Sequence, residues 1–236
     1  ELQRVKAVTV IHYHAVFRKS LQYAVKTDLI PSNPADKVER PKKERYQASF
    51  YDADEINALF EAVKGDKLEL PVLFAAFYGL RRSEAVGLRW DAIDFEKDTI
   101  TIRHTVLSYN LDGEHIVEAR DTTKSKASLR TLPLVPMFKE KLLRIQKQQE
   151  AYRKLCKRSY NKMYLDYICV DPMGNRIKPN YISAQFGIFL ERNGLRHIRF
   201  HDLRHSCASL LLANGVSMKQ IQEWMGHSDF ATTANI

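Results

Sequence analysis

Apolar residues recur at helical spacing over most of the chain and at strand spacing in one short stretch. Over residues 9–27, Val10, Tyr13, Val16, Phe17, Leu21 and Tyr23 keep the rhythm of an amphipathic helix, with His12, His14, Arg18, Lys19 and Lys26 interleaved. The stretch is entered in mid-pattern. It reads as the tail of a larger helical domain, or as a plain helix packed on the main domain. Pro31, Pro34, Pro41 and a run of charge over residues 37–45 then mark an exposed linker, and a domain boundary is expected near residue 40. Asp52 with Glu55 three residues on is an N-cap pattern for a helix ending near Gly65. Residues 68–77 are strongly apolar, a buried helix broken by Gly79.

From Ile93 the period changes to two. Ile93, Phe95, Ile100 and Ile102, then residues 115–118, then residues 128–134 alternate like strands, with turns at Lys97-Asp98 and Asp112-Gly113. Residues 122–128 read as a polar hairpin bearing Lys124 and Lys126. Long helices follow over residues 138–155 and 181–193, with a short strand at 167–170 between them. Two last helices fill residues 200–226, the first closing at Asn214-Gly215, the second opening at Ser217 and closing at Gly226. The expected fold is mainly α with a small antiparallel three-stranded sheet, an α+β class, divided as residues 1–40 and 41–236.

Composition narrows the function. The 236 residues are 44% hydrophobic and 28% charged, as in a soluble globular protein. No apolar run approaches the roughly 18–20 residues of a membrane span. Three scattered cysteines make no disulfide framework. The net charge of +9 favours a polyanionic partner, most simply nucleic acid. Basic residues expected to meet it are Arg18, Lys19, Lys42, Lys43, Arg82, Lys126 and Arg130.

Three cationic islands carry the candidate chemistry. His201 and Arg204 are three apart on one face at the start of a helix, where the backbone favours an anion, and His227 follows the last helix. Arg81 follows a buried helix and needs an anion, which Glu84 supplies at i+3 unless a ligand does. Two arginines converging suit a phosphodiester, because planar forks grip nonbridging oxygens and offset the charge that grows in the transition state. A hairpin lysine, Lys124 or Lys126, is placed to protonate a leaving alkoxide. His201, His205 and His227 also permit a zinc-dependent hydrolase to be drawn, although Asp202 stands where such a motif wants glutamate.

The islands G-L-R-R-S-E with L-R-W-D-A-I-D (residues 79–94), T-K-S-K-A-S-L-R-T-L-P-L (123–134), H-D-L-R-H-S (201–206) and M-G-H-S-D-F-A-T-T-A-N-I (225–236) come in the order of one family. The chain resembles the tyrosine recombinases, the phage-integrase family, and is most similar to integrases of conjugative transposons and related prophages. The resemblance implies that Arg81 and Arg204 bind the scissile phosphate and that Glu84 supports Arg81. It places His201 and His227 at the two histidine positions, Lys124 as general acid with Lys126 in reserve, and His205 as structural or as a support behind the catalytic residues. It implies a bacterial, nucleoid-bound enzyme of mobile elements that cleaves and rejoins double-stranded DNA through a 3′-phosphotyrosine. That enzyme needs no metal or cofactor and works as a dimer to tetramer on transposon or phage end sites and target sites. Residues 1–40 resemble the end of a helical core-binding domain.

The family's nucleophilic tyrosine follows G-H-S-x-x-x-T-T-x-x-I, and this chain stops at Ile236, where that tyrosine is due. The resemblance therefore implies a chain that binds DNA without cleaving it. A noncatalytic DNA-binding module of the same fold is the alternative.

Overall fold

The computed structural model describes residues 5–42, 49–121 and 129–226. The chain divides into two compact units, Glu1–Gln47 and Ala48–Ile236. In the first, α1 (Ala7–Lys26) buries none of its residues. A 3-10 turn, Pro34–Lys37, is capped by Asn33, whose side chain accepts from the Ala35 amide and donates to the Arg18 carbonyl. Arg18 Nε meets Asp36 at 2.6 Å, and His14 Nε2 lies 2.9 Å from the Ala35 carbonyl.

The second unit is built on α2 (Ala53–Ala62), α3 (Glu69–Phe77) and the short α4 (Arg82–Gly87). Asp52 and Glu55 form the expected capping box: Asp52 Oδ1 accepts from the Glu55 amide at 2.9 Å, and Glu55 Oε2 from the Asp52 amide at 3.0 Å. Asp52→Ala is expected to cost about 1 kcal/mol, read by chemical denaturation. Gly79 ends α3 in the left-handed region, φ 64°, and a Cβ there would lie 2.4 Å from Met225 Sδ. This close approach is what lets the turn before Arg81 touch the last helix.

Among the described residues the strands that follow are β1 (Ile93–Asp94), β2 (Thr99–Ile102), β3 (Thr105–Leu111), β4 (Glu114–Arg120) and β5 (Arg130–Pro133). The expected α+β class with a small antiparallel three-stranded sheet is present, and the place of residues 115–118 differs. β1, β2 and β5 form an antiparallel three-stranded sheet, while β3 and β4 make a separate hairpin that holds residues 115–118. Ile100 faces Leu132 and Ile102 faces Arg130 across β2 and β5. The turns stand where expected, with positive φ at Asp98, Asp112 and Gly113.

α5 (Pro136–Cys156) and α6 (Pro179–Arg192) cover the core, and α7 (Asp202–Ala213) and α8 (Met218–Met225) close it. Residues 167–170 are not a strand: Tyr167 and Val170 make only isolated bridges, to Arg89 and Arg176. The main core joins Leu59, Phe74, Tyr78, Ile100, Leu142, Phe186 and Leu203, and a smaller cluster joins Cys207 and Ala208 of α7 to Ile221 and Met225 of α8. Among the described residues no helix is long and apolar enough to cross a membrane.

Candidate active site

Four segments far apart in sequence meet at the C-terminal end of α8. Ser217 starts that helix with a capping box, and Gly226 ends it in the left-handed conformation, φ 63°. A helix end leaves carbonyls without intrahelical donors. Here arginines supply them. Arg81 Nη2 donates to the Gly226 carbonyl at 3.1 Å, Arg204 Nη2 to Met225 and Arg130 Nε to Trp224 at 2.8 Å.

Arg204 comes from the first turn of α7 and is only 3% exposed. Its Nη1 also donates to the Gly79 carbonyl, so it spans the end of α3 and the end of α8. Burial, and next the charge of Arg81, push this guanidinium down to about 9, against the pull of Glu84, which leaves it charged at neutral pH. The helix start that carries it is pinned twice. Asp202 Oδ2 accepts the Arg199 amide at 2.8 Å. Ser206 Oγ donates to the Asp202 carbonyl and accepts the Tyr51 amide.

Glu84 on α4 is the buried anion of the site. Its Oε1 takes Arg81 Nη1 at 2.7 Å, and its Oε2 takes Arg130 Nη2 at 3.0 Å and the Arg81 amide at 2.9 Å. Burial pushes its carboxyl upward, but Arg130 first, then Arg81 and Arg204, outweigh this and hold it below the ordinary carboxylate value. Arg130 is thus placed differently from its expected DNA-facing position. It is 8% exposed and turned inward, because the alternation of β5 puts it on the same face as the buried Leu132. That alternation was the available signal.

His201 stands at the N-terminal boundary of α7, exposed at the mouth of a cleft of about 550 Å³ that Arg81, Arg82, Ser183 and Arg199 also line. Desolvation on its protein-facing side, then His205 and Arg204, hold its imidazole below the ordinary value and neutral at pH 7. His205 packs edge-on to His201, ring centroids 5.4 Å apart, and its buried Nδ1 has no hydrogen-bond partner among the described residues. Arg82 donates to Ser183 Oγ. Lys19 and Lys42 are exposed. Lys43, Lys124, Lys126 and His227 lie outside the described residues. Among the described residues no three His, Cys, Asp or Glu side chains are grouped to hold a metal ion.

A second polar cluster, centred on the buried His104, has no counterpart in the sequence reading. His104, 4% exposed, places Nδ1 2.6 Å from Asp121 and Nε2 2.9 Å from the Tyr167 hydroxyl, with Arg89 over the Tyr167 ring.

The fold is one shared with solved DNA integrases. An integrase of the Tn1549 transposon in complex with transposon right end DNA superposes with a TM-score of 0.79 at 19% identity, over 99% of this chain and 75% of that one. A lambda integrase dimer bound to a core site superposes at 0.65 with 18% identity, over 96% and 74%. Residues 49–236 match the phage integrase family, and the chain belongs to it. A tyrosine recombinase XerC-like protein of Caldanaerobacter subterraneus subsp. tengcongensis is 32% identical, over 88% of this chain and 53% of its own length. The ICEBs1 integrase of Bacillus subtilis is 28% identical over 92% and 58%. The chain therefore spans little more than half the length of these two relatives.

Proposed function

We propose that these residues form the phosphate-binding part of a site-specific DNA strand transferase of mobile elements. Arg81 and Arg204 grip the nonbridging oxygens of a scissile phosphodiester, Glu84 orients Arg81, and neutral His201 adds a donor from the cleft mouth. A tyrosine hydroxyl gives up its proton to solvent as its oxygen attacks phosphorus, the bond to the 5′-oxygen breaks, and that oxygen takes a proton from Lys124, with Lys126 as the other candidate. The product is a 3′-phosphotyrosine with a free 5′-hydroxyl, which conserves the bond energy for rejoining. His227 completes the donor set. Two arginines from distant segments meeting at one helix end, in a site with more cations than carboxylates, carry this reading.

In this reading none of the tyrosines up to Tyr181, the last in the sequence, is the nucleophile. Tyrosines near the core are engaged elsewhere: the Tyr51 hydroxyl donates to the Arg196 carbonyl, and burial pushes Tyr78 up to about 12. Residues 1–40 serve as the end of a core-binding domain. Arg18, Lys19, Lys42, Lys43, Arg82 and Lys126 meet the backbone of double-stranded DNA, on which the protein assembles as a dimer to tetramer at the nucleoid.

The 236-residue polypeptide is expected to bind duplex DNA without forming a covalent adduct. With about seven phosphate contacts its affinity should fall on the order of 10³–10⁴-fold between ~50 and ~200 mM salt. Fluorescence anisotropy with a salt series checks this, and a salt-independent affinity would contradict it.

A further inference from the structure

We propose that Arg130 is a positioning residue of the phosphate clamp, acting through Glu84 on Arg81 and through the Trp224 carbonyl on the end of α8. The inference rests on the clamp reading above and adds a residue that never touches DNA. The Arg130 side chain is 6% exposed, against 35% for Arg81, so of the two arginines on Glu84 it is Arg81 that lines the cleft. An ionised carboxylate has about four lone-pair sites. Glu84 fills them with two donors from Arg81 and two from Arg130, the second Arg130 contact being Nη1 to Oε1 at 3.4 Å.

This sharing sets the charge that Arg81 presents. Alone with Arg81, a buried Glu84 would discharge fully on it and draw the guanidinium inward, away from the cleft. With Arg130 behind it, the carboxylate is satisfied from the protein side. The three guanidiniums and one carboxylate then keep a surplus of positive charge where a phosphorane would build negative charge. The same fork fixes the end of α8, because Arg130, Arg204 and Arg81 each hold one of the consecutive carbonyls of Trp224, Met225 and Gly226. A lysine has one point charge and cannot reproduce both attachments.

The test uses a duplex selected by the wild-type 236-residue polypeptide from a random pool, remade with one neutral methylphosphonate at each backbone position in turn. For wild type, one position per half-site should cost about tenfold in affinity when neutralised, the loss of charge-assisted bonds. In Arg130→Met that penalty should shrink below about twofold, while penalties at other positions stay as in wild type. An undiminished penalty at that position would overturn the inference, and so would an equal loss at every position, the mark of a merely structural role. If Arg130→Met does not fold, Arg130→Lys and the charge-neutral pair Glu84→Gln with Arg130→Met are read by the same criterion. A wild-type scan with no singular position would remove the clamp reading itself, before Arg130 enters.

Discussion

Replacing Arg204 with alanine, in a polypeptide that joins these residues to the proposed tyrosine, is expected to lower the rate of covalent adduct formation by about 10³-fold or more. Loss of one preorganised donor at a developing charge costs about 10²–10³ in rate, and loss of an arginine at a transferring phosphoryl group up to about 10⁵. Arg204 belongs at the upper end. It is buried, it enters from α7 at a fixed angle, and its two terminal nitrogens are already held by the carbonyls of Gly79 and Met225. The same change orphans those carbonyls, at roughly 1–3 kcal/mol each where water cannot reach them. Arg204→Lys should retain part of the fold stability and little of the rate, because a point charge does not replace the planar fork. Quenched-flow trapping on a nicked duplex measures the rate, and thermal unfolding measures the stability. An unchanged rate in a folded Arg204→Ala protein would remove this guanidinium from the reaction.

Glu84→Ala is the second large effect, and it acts on the fold. The substitution takes the Glu84 carboxylate away from the buried Arg130, and breaking one partner of a buried pair costs about 3–5 kcal/mol. For a unit of this size that is on the order of 10 °C in Tm. The acid dependence follows from the same carboxylate. Its folded value lies below the ordinary 4.5, so ionised Glu84 contributes stability that is fully present above about 4.5 and is lost as pH falls through the lower, folded value. Glu84→Gln should therefore lower Tm near pH 7 and narrow the gap to wild type as the solution is acidified. A constant difference from pH 7 to pH 3 would contradict the ionised pair.

Local chemistry explains which parts of this structure were legible in the sequence. The Asp52–Glu55 box, the Gly79 break, the Ser217 cap and the Arg81–Glu84 pair each involve residues three or fewer apart, or a glycine whose φ no neighbour decides. The two long-range arginines were legible only through the family's motifs, since nothing local says that Arg81 and Arg204 meet. Strand alternation reports a face and not a partner. The pairing of β2 with β5 across the β3–β4 hairpin was hidden for that reason. Arg130 was assigned to DNA on its charge, although its place beside Leu132 in the β5 alternation points inward. The α8 carbonyls left no mark at all, because every residue carries one. His104 reads as an isolated histidine until Asp121 and Tyr167 are brought to it by the fold.

The central claim is that this site holds a phosphodiester for attack by a tyrosine. Its most direct measurement is the chemical linkage formed when the tyrosine-bearing polypeptide meets a nicked suicide duplex that loses its 5′-hydroxyl strand. Mass spectrometry of the digested product should find a tyrosine joined to a 3′-phosphate, absent from the Arg204→Ala protein. A 5′-linked adduct, or an undiminished 3′-linked adduct from Arg204→Ala, would contradict it.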